Sequence, residues 1–277
     1  MLSTLKNPTF RHLFAAQIVA LVGTGLATVA LGLLAWHLAG KDAGAVLGTA
    51  LAIKMVAYVT LAPVAAAIAE RLPRRAFLVA LDVIRAGVIA FLPFVDQIWQ
   101  VYLLIFFLQA ASAGFTPAFQ AVIPDVLKDE DDYTNALSLL RLAEDLEQLA
   151  SPILAAALLT VVSFPVLFAG TVAGFIGSAL LVVTARLPAR ARGEPGHFWA
   201  DVTKGVRIYT RTPRLRGLMV MEAAVAAAGA MVYVNTVVLV QARLGLGEES
   251  VALAFAGFGA GSMLAAFLLP RILGRLA

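Results

Sequence analysis

The chain has 277 residues, of which 61% are hydrophobic and 14% charged, with a formal net charge of +4 and a mean hydropathy of +0.90. Ordinary soluble domains run about 45–50% apolar and about 25% charged, so a water-soluble globule and a disordered chain are both excluded, and the solvent implied is lipid. There is no cysteine, which removes disulfide scaffolds, thiolate metal sites and a cysteine nucleophile, and the three histidines (His12, His37, His197) leave no metal site or other cofactor to expect.

A bilayer-spanning helix needs about 20 mostly apolar residues. The chain offers such stretches near 12–38, 45–69, 76–95, 99–122, 134–162, 164–186, 216–241 and 250–272. The first, apolar from Leu13 to Ala35, is too long for a signal peptide, and no small-residue cleavage site follows it. The fifth is the most polar: its first half carries Arg141, Glu144, Asp145 and Glu147, and only Leu149–Val162 is cleanly apolar. Lys and Arg gather in the connections of one side, at Lys6 and Arg11, at Arg71, Arg74 and Arg75, at Lys128, along Arg186–Arg216, and at Arg271 and Arg275. The opposite connections hold only Lys41 and Arg243. The positive-inside rule therefore predicts a multi-pass protein of the cell membrane with its N-terminus in the cytoplasm, and basic residues lying between apolar runs point to no nucleic-acid partner. Trp36, Trp99 and Tyr102 fall at the outer interface, and Tyr133 and Trp199 at the inner one, as aromatic belts should.

The longest connection, 187–215, is also the most basic. Beyond Pro195 and Gly196, the residues Phe198, Trp199, Val202, Val206 and Tyr209 recur at helical spacing, with Lys204, Arg207 and Arg211 largely on another face. That pattern predicts a short helix lying in the cytoplasmic interface. The connection divides a six-span unit, 1–186, from the start of a second unit, 216–277. The ends of spans two and eight agree at an offset of 200 residues, through Ala66 and Ala266, Arg71 and Arg271, Leu72 and Ile272, and Arg75 and Arg275. Weak symmetry of this kind marks carriers built from repeats. A complete second unit would bring such a chain to about 390–400 residues. The expectation is thus one complete half and a third of another, with no transport by these residues alone.

Ala66-x-x-x-Glu70-Arg71-x-Pro73-Arg74-Arg75 resembles the loop motif of the major facilitator superfamily, Gly-x-x-x-Asp-Arg-x-Gly-Arg-Arg. Its Pro-Arg-Arg form, followed by Leu81-Asp82-x-x-Arg85-Ala86, is similar to the drug-exporter branch that includes macrolide and enterobactin exporters. Asn7-Pro8-x-Phe10-Arg11, Phe115-x-Pro117-Ala118-x-Gln120-Ala121-x-x-Pro124-Asp125, Asn135-Ala136-Leu137-Ser138 and Gly257-x-Gly259-x-Gly261-Ser262 resemble the opening, fourth, fifth and eighth spans of that branch. Three positions depart from the pattern. Ala66 stands for the first motif glycine, Thr24 stands where many relatives have an acid, and Ala150-Ser151-Pro152 stands where an antiporter motif ends in Gly-Pro. The resemblance implies an all-α polytopic membrane protein of the major facilitator fold, with a complete N-terminal six-helix bundle and the first two helices of the C-terminal one. It also implies that the loop motif is a cytoplasmic latch between the two halves.

Asp125, at the inner end of span four, is the expected partner of Arg74 or Arg75; the alternative is that these arginines only set topology and snorkel. Ionisable residues at mid-bilayer cost about 2.5–3.5 kcal/mol each on insertion scales, so each needs a partner, a wet cavity or a neutral form. Asp82 and Arg85 share a face at i, i+3 and either pair with each other or face the cavity. Arg141, Glu144, Asp145 and Gln148 share a face of span five, while Glu147 points elsewhere. Three carboxylates and one guanidinium leave either one carboxylate neutral, as a proton-coupled carrier requires, or a wet helix end. Glu222 in span seven has no cation one turn away and is the single preferred protonation site. Lys54, Gln17 and Asn235, with Thr24, Gln109 and Gln241, either line a cavity or bond helix to helix. Gly170-x-x-x-Gly174 is a packing feature.

The function expected is secondary active export of a small amphipathic molecule, such as a drug, a macrolide-like compound or a siderophore, by alternating access and driven by proton antiport. The alternative is a non-transporting fragment or a half-carrier needing a separately encoded remainder. With no HExxH motif and no serine–histidine arrangement, no enzyme is expected, and with no nucleotide motif, no direct use of ATP.

Overall fold

The computed structural model describes residues 2–69, 71–188 and 198–237, together with 239, 244, 245, 257 and 261. Most of these are helical, and no strand occurs among them. The helices are α1 (Pro8–Ala39), α2 (Ala43–Ala69), α3 (Arg74–Phe91), α4 (Ile98–Gln120), α5 (Ile123–Val126), α6 (Glu130–Leu159), α7 (Phe164–Thr184), α8 (Phe198–Arg211) and α9 (Pro213–Val237). Five of the described segments are long and apolar enough to cross a membrane: Pro8–Ala39, Ala43–Ala69, Arg74–Phe94, Ile98–Val126 and Phe164–Thr184. They correspond to expected spans one to four and six. The expected fifth span corresponds to the helix α6, which is not among these five because its charged first half lowers its hydropathy. The seventh corresponds to α9, and the eighth, including the repeat of 266–275, lies outside the described residues apart from Gly257 and Gly261.

Local chemistry sets the helix ends. Asn7 caps α1, its Oδ1 accepting from the backbone N–H of Thr9 at 3.0 Å and Phe10 at 3.1 Å, with Pro8 supplying the pre-set first turn. Gly40 ends the same helix with φ of +52°, a conformation that favours glycine, and its N–H bonds Trp36 O. Asp129 caps α6 through Asp131 N and Asp132 N, so the helix starts at Glu130, ahead of the expected 134. Pro124 lacks the N–H that would continue α4. The chain turns at Ala121–Val122, and Asp125 sits on the short α5 that closes the inner end of span four, Ile98–Val126.

The chain divides into two compact units, Met1–Thr203 and Lys204–Ala277. Within the first, α1 packs on α7 and α6, α3 lies between α7 and α4, and α4 packs on α2. At one end of this bundle Phe10, Leu13, Leu78, Phe119, Ile123 and Leu140 form an apolar cluster. A second cluster, built on Leu26, Ile89, Leu92, Val101, Leu167 and Phe168, fills the other end. The α1–α7 crossing is close because glycine meets glycine: a Cβ on Gly174 would lie 3.1 Å from Gly23 Cα. Thr171 seals the crossing by donating to Gly23 O at 2.8 Å. On α2 the apolar Leu51, Met55, Val56 and Val59 are exposed. In water each such side chain would forfeit about 1.5–3 kcal/mol of burial energy; lipid removes that cost.

In the second unit α9 runs unbroken for 25 residues, and its described side chains other than Leu215 are exposed.

Candidate functional site

Polar side chains in the first unit collect at three places. The first is the end that carries the loop motif. Arg74, at the start of α3, forms an ion pair with Asp125 of α5. Arg75 donates to Ala185 O at 2.7 Å, where the last carbonyls of α7 carry the negative end of the helix dipole. Asn7 Nδ2 donates to Val126 O at 3.3 Å, and Thr9 Oγ1 to Arg186 O at 3.4 Å. Loop and helix ends are thus tied to one another by groups at the surface, where ion pairs make and break at small cost. Arg71 is exposed, Ala66 is half-buried in the last turns of α2, and Glu70 lies outside the described residues.

The second is buried between the two apolar clusters. Asp82 is fully buried and Arg85 is 6% exposed. They form an ion pair on one face of α3, and the other Asp82 oxygen accepts from Ser178 Oγ of α7 at 2.8 Å. The Arg85 guanidinium carbon lies 4.0 Å from the ring centroid of Phe115 on α4 and 4.5 Å from that of Phe175 on α7. Three helices are therefore gathered on one paired charge, whose Arg85 Nε alone has no hydrogen-bond partner. Of the two readings of this pair, the structure has the self-paired arrangement, closed off from any cavity.

The third is a polar strip over α1, α2, α4 and α6. Gln17 of α1, Thr116 and Gln120 of α4, and Glu144 of α6 line one small recess. The Tyr58 hydroxyl of α2 lies beside Thr116. On α6, Arg141 is 3.4 Å from Glu144 and 3.5 Å from Asp145, so this guanidinium serves two of the three carboxylates. The third is Glu147. Its Oε1 accepts from Ser151 Oγ at 3.1 Å, and it lies so close to α1 that a Cβ on Gly25 would sit 2.6 Å away. The same Cβ would overlap the Ser151 side chain. Lys54 of α2 is the cation whose field reaches Glu147.

Sequence spacing on α6 separates Glu147 from the face of its neighbours and so passes it over. The signal that finds it lies on a different helix, where Gly25 leaves α1 bare of a side chain opposite the small Ser151. Glu222 is exposed on α9 in the other unit, and Asn235 lies on the same helix with its side chain outside the described residues. The structure therefore brings Lys54, Gln17 and Glu144 to one strip and leaves Asp82 and Arg85 buried beside it, with the field of Arg85 reaching Tyr58. Among the described residues no group of His, Asp and Glu is arranged to hold a metal ion.

The Major Facilitator Superfamily model matches residues 13–277. Macrolide efflux protein A of Streptococcus pyogenes is 23% identical over 221 residues, covering 76% of this chain and 54% of that protein. Its namesake in a serotype M6 strain matches to the same extent. The chain thus spans about half the length of the curated relatives it matches.

Proposed function

The chain belongs to the Major Facilitator Superfamily, and we propose that the protein is a secondary active exporter of small amphipathic molecules, macrolide-like compounds among them, driven by proton antiport. It is a transporter and not an enzyme. The observation that carries the reading is the polar strip over α1, α2, α4 and α6, where Gln17, Lys54, Glu144 and Glu147 come together. Charge held within membrane-spanning helices is costly unless it is paired or serves a path.

In this reading residues 1–186 form the first six-helix half, 187–215 the basic cytoplasmic linker, and 216–277 the start of the second half. The N-terminus is cytoplasmic. The halves rock about a central substrate site, and the contacts of Arg74, Arg75 and Asp125 latch the cytoplasmic side in one of the two states. Glu147 joins Glu144 and Glu222 as a group on the proton path, with Lys54 as the cation that replaces a lost proton. Macrolide susceptibility of cells with the gene intact and deleted tests the reading: deletion is expected to raise sensitivity and intracellular drug, and unchanged sensitivity to every amphipathic compound tried contradicts it.

A further inference from the structure

The residues of the helix α8 fall into two stripes. With about 100° of turn per residue, Trp199, Val202 and Tyr209 share one side, while Arg207 and Arg211 lie roughly opposite. Trp199 is 71% exposed and Tyr209 42%, and both arginines are exposed. The 14 residues of this helix extend about 21 Å, too short and too divided to cross a bilayer. Only Thr212 separates α8 from Pro213, the first residue of α9, which is read as a spanning helix. The C-terminal end of α8 is therefore held by the covalent chain at the membrane surface, and the first turn of α9 adds Arg214 and Arg216.

We propose that α8 is a lipid-binding element, which lays Trp199, Val202 and Tyr209 into the acyl boundary and binds the phosphates of anionic phospholipids through Arg207 and Arg211. The chemistry fits an anionic bilayer surface. Aromatic and aliphatic residues enter the interface, and long arginine side chains reach sideways to phosphate while their stems stay on the apolar boundary. Each cation near such a surface strengthens attraction by about fivefold. Substrate identity plays no part in the proposal, so it stands or falls separately from export.

The test uses the full chain with Trp36→Phe and Trp99→Phe, which leaves Trp199 as the sole tryptophan of the three. The protein is reconstituted in phosphatidylcholine vesicles containing a minority of phosphatidylglycerol, with bromine on the acyl chains of one lipid at a time. Brominated phosphatidylglycerol is expected to quench Trp199 out of proportion to its share. Arg207→Gln with Arg211→Gln, or high salt, is expected to reduce that preference by roughly 25-fold. Equal quenching by the two lipids overturns anionic recognition. A variant keeping only Trp99 controls for insertion: if it is quenched while Trp199 is not, α8 does not lie on the bilayer.

Discussion

Arg85 stands one turn beyond Asp82 on α3, and the two form an ion pair closed in by Phe115, Phe175 and Ser178. The pair joins α3 to α4 and α7 midway between two apolar clusters. A buried pair is weak evidence for net stability, but removing one member leaves an uncompensated charge.

Asp82→Asn is therefore expected to destabilise the protein by about 3–5 kcal/mol. Asp82→Leu combined with Arg85→Met, which removes both charges at similar volume, is expected to be far milder. Thermal unfolding of the purified protein in detergent distinguishes them. Equal losses in the two variants would mean that packing, and not charge pairing, dominates this centre.

Arg74 and Asp125 present the opposite case. The Asp125 side chain is 45% exposed and that of Arg74 13%, so the pair is open to water on its acidic side, and pairs screened in this way contribute about 1 kcal/mol. Asp125→Arg is expected to leave the unfolding temperature nearly unchanged while lowering transport, and adding Arg74→Asp to restore part of it. Failure of the double variant to recover any transport would remove the pair from the latch.

At Gly25 the prediction is steric. A methyl group there meets Ser151 and Glu147, and overpacking of this kind costs about 1–3 kcal/mol. Gly25→Ala should lower the unfolding midpoint, and Ser151→Gly in the same chain should recover much of it. Gly32, where a Cβ meets nothing within 4 Å, is the control site: Gly32→Ala should be tolerated.

Glu147→Gln is expected to lower proton-driven transport about tenfold, the equivalent of about 1.4 kcal/mol, while substrate exchange without a proton gradient is retained. Glu147→Asp should keep part of the driven rate. Comparing gradient-driven uptake with exchange in the same vesicles separates a coupling role from a fold defect, which would lower both.

Hydropathy made the membrane helices readable, because a run of about 20 apolar residues has few other uses. The i, i+3 spacing likewise made the Asp82–Arg85 pairing readable as one of two options. What the sequence could not carry was the geometry between helices. The place of Glu147 depends on α1 and α6 crossing at Gly25 and Ser151, two residues far apart in the chain whose only shared property is small size. The break between α4 and α5 ahead of Asp125 is a local feature that a hydropathy span reads through.

The most direct test of the whole account is uptake of a radiolabelled macrolide by inverted membrane vesicles from the source cells, with the gene intact or deleted, under an acid-inside pH gradient. The account predicts accumulation that depends on the gene and collapses when a protonophore is added. Equal uptake by both vesicle preparations, for this compound and for other amphipathic molecules, would contradict it.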